Sequence, residues 1–129
     1  MQPLTILEGL HAYARMINRL DVSAIESLLA PDFHYASQFV FDEITSRDEY
    51  LAYIRPKLET VRNSDSPVWA EIGQLTEYPG GPCVVLAQGD RDKLVSTVLL
   101  EVANGFISRI DLCAVPPPSS VKRSGEYPK

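Results

Sequence analysis

Apolar and polar positions follow two different periods along this chain, and the change falls near Asn63. Before it, apolar side chains recur at spacings of three and four. Ile6, Leu10, Tyr13, Ile17 and Leu20 form one stripe with Met16 beside it, so a helix is predicted from about Thr5 to Arg19. His11, Arg15 and Asn18 fall on the opposite side and are expected to face water. Leu51, Ile54, Leu58 and Val61 predict another helix from about Arg47 to Val61. Pro56 inside it removes a backbone bond, which predicts a kink or an early end. Between these lies a short run, Ser23 to about Leu29, where Pro31 makes the chain straighten at Ala30. All three segments open on a capping box: Thr5-x-x-Glu8, Ser23-x-x-Glu26 and Ser46-x-x-Glu49. In such a box the hydroxyl accepts from an orphan amide of the first turn and the glutamate reaches back to the cap residue.

After Asn63 the helical period is lost. Four runs rich in Val, Ile and Leu follow: Val68 to Tyr78, Cys83 to Gln88, Leu94 to Val102, and Phe106 to Val115. "PGGP", "GDRDK" and "NG" separate them. Asn104-Gly105 suits a tight hairpin, because both residues tolerate positive φ. Connections this short predict neighbouring antiparallel strands. A lone strand-like stretch, Phe33 to Ser37, sits between the second and third helices. The expected class is therefore α+β, a curved mixed or antiparallel sheet covered by three N-terminal helices. Residues 1–115 read as a single domain; 116–129, rich in Pro and Ser, read as a disordered tail or an extended arm on a partner.

Composition narrows the function classes. The chain has 129 residues, 45% of them hydrophobic and 22% charged, enough for one real core. Its net charge of −5, with no basic cluster, argues against nucleic acid and anionic membranes as partners. The opening MQPLTILEGL lacks a basic start followed by an apolar stretch, and no apolar run approaches bilayer length. A soluble, cytoplasmic protein is expected, with Cys83 and Cys113 as reduced structural thiols. No carboxylate stands at a metal-ligand spacing from His11 or His34, and no glycine-rich phosphate loop is present, so no metal or cofactor is expected.

The stretches "YARMINRLDVSAIESLLAPDFHY", "ITSRDEYLAYI" and "VLLEVANGFISRIDL" resemble the nuclear transport factor 2-like superfamily, in its SnoaL-like and ketosteroid-isomerase-like group. The resemblance spans roughly residues 5 to 115. It implies a conical α+β barrel with a mostly apolar pocket between sheet and helices, and commonly a homodimer packed through the sheet. Aligned on Asp21-Val22, on Ala30 to Phe33 and on Gly105, the isomerases' helix-one tyrosine falls at Met16, their base aspartate at Ser37 and their proton-donating aspartate near Val98. None of these three can do the corresponding work.

The fold alone does not fix a reaction. The implied pocket lining is Tyr13, Met16, Ile17, Phe33, Tyr35, Ser37, Ile54, Trp69, Val98, Leu100, Ile110 and Leu112, with Leu51 as an alternative to Ile54. Tyr13, Tyr35 and Ser37 are candidates for a hydroxyl cluster around a ligand oxygen, against the plainer reading of core rings. His34 is the candidate acid–base group, though alternation points it away from Tyr35. Asp32 reads as a turn residue, and Asp42 and Glu43 as solvated. Arg109 and Asp111 share the outer sheet face and suit a dimer contact. Three functions follow: a SnoaL-like protein binding a small apolar molecule; an isomerase, cyclase or dehydratase acting on a polyketide-, steroid- or terpenoid-like substrate; or a non-catalytic dimerisation module.

Overall fold

A computed structural model describes residues 3–40 and 42–129. Its first helix, α1 (Ile6–Arg19), begins on the expected capping box, with both Thr5–Glu8 bonds formed. The helix α2 (Arg47–Arg62) begins on Ser46, whose hydroxyl accepts from the Glu49 amide. α2 continues through Pro56 and does not end early. Pro56 lies on the exposed side, where water can serve the carbonyl it leaves free.

The segment after α1 differs from expectation. Ser23 does not cap a two-turn helix; the Asp21 carboxylate accepts from the Ser23 amide and starts a 3₁₀ turn, Val22–Ala24. A second 3₁₀ turn covers Glu26–Leu28. Glu26 is drawn outward instead, to Arg55 on α2 at 2.8 Å. The helical layer is thus two α-helices with two 3₁₀ turns after the first, and from those turns the chain enters β1 (Leu29–Ser37) directly.

The later strands are β2 (Val68–Leu75), β3 (Gly81–Gln88), β4 (Leu94–Ala103) and β5 (Phe106–Cys113). They form the expected meander, and Asn104 and Gly105 turn its last hairpin at φ 55° and 82°. β1 joins the far side of β5 in parallel, with Tyr35 opposite Ile110, so the sheet is mixed. Bulges in the β1–β5, β3–β4 and β4–β5 pairings bend the strands.

The tail is neither disordered nor free of the domain. Residues Val121–Glu126 form β6, antiparallel to β2, and complete a six-stranded sheet in the order β1-β5-β4-β3-β2-β6. Asn18 does not face water either. Its amide donates to the Ala70 and Pro128 carbonyls and its oxygen accepts from the Ala70 amide, tying α1 to β2 and the chain's last residues.

The two sheet faces have different partners. Ala70, Ile72, Val84, Val98, Leu100 and Ile110 face the helices and join Leu10, Met16, Ile17, Leu51 and Ile54 in one core. Burial of this apolar surface is the main force holding the layers together.

Candidate functional site

Between α1, α2 and the inner sheet face lies a cavity of about 170 Å³. α1 contributes Tyr13 and Ile17, and Leu20 follows at its C-terminal cap; β1 contributes Tyr35; α2 contributes Tyr53, Ile54, Lys57, Leu58 and Val61. Val68, Leu86 and Leu112 close the sheet side. The cavity adjoins an open cleft of about 570 Å³, and Lys57, Val61, Val68, Leu86 and Leu112 line both. Phe39, Thr60, Gln88, Val95 and Ser96 line the cleft further out.

Tyrosines dominate the inner end. The Tyr35 ring lies 5.1 Å from Tyr50 and 5.5 Å from Tyr53, centroid to centroid. Phe33 meets Tyr50 edge-on at 5.0 Å. Burial raises the pKa of Tyr13, and the nearby Tyr53 raises it further. Burial, then Tyr13 and Tyr53, do the same to Tyr35. Tyr50, fully enclosed, is pushed well up by burial and then by Tyr13, Tyr35 and Tyr53. These phenols therefore stay protonated and act as hydrogen-bond donors, not bases. Among the described residues, the Tyr50 Oη is the one buried side-chain oxygen or nitrogen without a hydrogen-bond partner. Such a group costs free energy until an acceptor reaches it.

Among the described residues, Lys57 is the one charged side chain lining the cavity or the cleft. Its Nζ stands 4.8 Å from the centre of the Tyr53 ring, within cation–π range. No carboxylate or imidazole of the described residues lines either space.

Five of the expected lining residues border this cavity: Tyr13, Ile17, Tyr35, Ile54 and Leu112. Met16, Phe33, Val98 and Ile110 do not, because they are fully enclosed by core packing. Leu100 packs instead on α1, where a β-carbon on Gly9 would lie 2.8 Å from its Cδ2. Ser37 does not line it either; its hydroxyl accepts from the Phe39 amide. Trp69 lies in a separate cleft with Asn18, Leu20 and Arg62. His34 is on the other side of β1, its Nδ1 3.3 Å from a Glu43 oxygen. Glu43 is not simply solvated, because Arg109 Nη1 donates to it at 2.6 Å. Arg109 also grips Asp111 through Nε and Nη2, so both remain on the outer face.

The sequence reading missed Tyr50, Tyr53 and Lys57. They stand at i, i+3 and i+7 along α2, one position before the aliphatic stripe. That spacing widens the buried face by one row and was the available signal.

No protein-family model matches the sequence, and no curated protein matches it. Solved structures do match. An NTF2-like protein of unknown function from Cytophaga hutchinsonii superposes with a TM-score of 0.57 at 12% identity, covering 90% of this chain and 96% of that one. A putative ketosteroid isomerase from Kribbella flavida gives 0.53 at 20% identity, covering 94% and 93%. A putative SnoaL-like polyketide cyclase from Jannaschia gives 0.53 at 12%, covering 88% of each chain. The chain therefore has the nuclear transport factor 2-like fold, shared with SnoaL-like and ketosteroid-isomerase-like proteins. Among the described residues, no helix is long and apolar enough to cross a membrane.

Proposed function

We propose that this protein binds a small, single-ring apolar molecule that carries an acceptor oxygen. The observation behind this reading is the donor set: Tyr13, Tyr35 and Tyr53 border the cavity, and the unpartnered Tyr50 hydroxyl lies close to them. A cavity of roughly 150 Å³ accepts benzene, so about 170 Å³ suits one ring rather than a steroid nucleus. The ring stacks against aliphatic and aromatic side chains. Its oxygen points inward and accepts from the phenols, as a carbonyl or carboxylate does. Lys57 favours a negatively charged or electron-rich outer end.

The lining supports binding over proton transfer. An isomerase, cyclase or dehydratase needs a base at the substrate, and His34, Glu43 and Asp111 all lie outside the cavity. The names of the structural neighbours, an isomerase and a cyclase among them, do not supply those residues.

Acetophenone and ethylbenzene test this reading, because they share a shape and differ by the oxygen. Calorimetric titration should show acetophenone binding about tenfold more tightly, a difference of roughly one good hydrogen bond. Tyr35→Phe should narrow that gap. Equal affinity for the two, or binding of neither, would rule the reading out.

A further inference from the structure

The outer face of the sheet carries a cross-strand row that should be wet and is not. Glu71 pairs with Val85, Val85 with Thr97, and Thr97 with Cys113. Both α-helices lie over the other face, yet none of these four residues is more than 3% exposed. Residues 114–129 cover them. The Thr97 hydroxyl donates to the Pro116 carbonyl at 2.7 Å. Val121 lies against Gly73, where any β-carbon would collide with it. Arg123 Nε donates to the Glu71 carboxylate at 2.8 Å, the Gly125 amide donates to it at 2.7 Å, and the Tyr127 hydroxyl at 3.2 Å.

This arrangement has the parts of a peptide site. β2 offers a sheet edge for main-chain bonds, and two alternate side chains of the added strand, Val121 and Arg123, each have a fitted place. Strand addition of this kind takes affinity from the backbone and specificity from every second side chain. Every partner of the buried Glu71 carboxylate named above comes from the added strand or the residue that follows it, so an empty site would leave that charge unpaired. The strand is joined to the domain by a proline-rich connection, Val115 to Pro118, in which Val115 is 71% exposed and Pro116 and Pro118 are half-buried.

We propose that the β2 edge and the Glu71–Gly73 surface form a strand-recognition site whose second occupant is the C-terminal strand of another copy of this chain. In cis the site is filled and the chain is a monomer. When two copies meet at high concentration, each lends residues 116–129 to the other. The contacts are the same ones, so exchange loses none of them and closes as a two-fold pair. This is a different route to a dimer from the packing of open sheet faces.

Charge reversal at the buried pair provides the test. Glu71→Arg brings two guanidinium groups together within one chain, and Arg123→Glu brings two carboxylates together within the other. Coexpressed, the two chains escape both repulsions by exchanging strands, which seats the carboxylate strand on the guanidinium edge and the native Arg123 on the native Glu71. Sedimentation should show each variant alone as a monomer and the coexpressed pair as a heterodimer. In parallel, the Arg123→Ala chain, which keeps its full length, should bind a synthetic peptide of residues 116–129 at least tenfold more tightly than the unaltered chain does. The same peptide carrying the Arg123→Ala change should not bind. A coexpressed pair that remains monomeric, or an Arg123→Ala chain that takes up neither peptide, would overturn the proposal.

Discussion

Val121 lies where a side chain on Gly73 would stand. This contact lets β6 approach β2 closely enough to pair with it, and it sits beside the Cys83 thiol on the same face. Burial pushes that thiol up to about 11, so it remains an apolar filler beneath the strand.

Gly73→Ala should therefore loosen the C-terminal strand. Forcing a methyl into a packed contact costs about 1–3 kcal/mol. Urea unfolding should report a loss of that size. Thiol labelling of Cys83 should speed up, because the strand above it lifts more often. An unchanged stability would mean that Val121 turns aside freely.

Tyr50→Phe should raise the stability of the ligand-free protein by about 1 kcal/mol, because it deletes a buried hydroxyl that has no partner. The ring contacts with Phe33 and Tyr35 are kept. Chemical denaturation should report the gain, and an unchanged or lower stability would mean that the hydroxyl finds a partner in solution.

Alkali should unfold the protein through its enclosed phenols. Tyr13, Tyr35 and Tyr50 have pKa values raised above the ordinary 10.0, chiefly by burial. A raised folded-state pKa adds stability in full below the unfolded value and loses it as pH climbs above that value. Of the six tyrosines, these three should ionise only together with loss of structure. Phenolate absorbance followed beside circular dichroism checks this, and early ionisation of all six would contradict it.

Acid should act through Glu43. Its hydrogen bond from Arg109, and then that from His34, hold its pKa below the ordinary 4.5. A depressed carboxylate contributes fully above its unfolded value and loses that contribution as pH falls through the folded one. Glu43→Gln should flatten the stability–pH curve below about pH 4.5 and leave its shape near neutrality unchanged. Salt should shrink the difference, since the cluster is exposed.

Local chemistry made much of the fold legible. The capping box at Thr5, the hydroxyl cap at Ser46 and the Asn104-Gly105 turn each act over a few residues, and each formed. Ser23 misled because Asp21, two residues earlier, is the better-placed cap. The tail misled for a longer-range reason. Its Pro and Ser content describes a chain that cannot build a core, but β6 needs none, because Glu71 and Gly73 had already prepared the place for it. Pairing across that distance leaves no periodic trace. In the cavity, Tyr13 and Tyr35 were readable from their facing. Met16, Phe33, Val98 and Ile110 share that facing but are enclosed by neighbours, and alternation cannot separate a wall from its filling.

The sheet order has a consequence for biosynthesis. β1 is made before the meander, and among the described residues its neighbouring strand is β5, which follows β2, β3 and β4 along the chain. While the meander is still emerging from the ribosome, the β5-facing edge of β1 stands open beside Leu29, Phe33 and Tyr35. An apolar strand in that condition invites the wrong neighbour. The nascent chain is most prone to aggregate in the interval between those two strands, and a chaperone that shields the first until the second arrives should improve its yield.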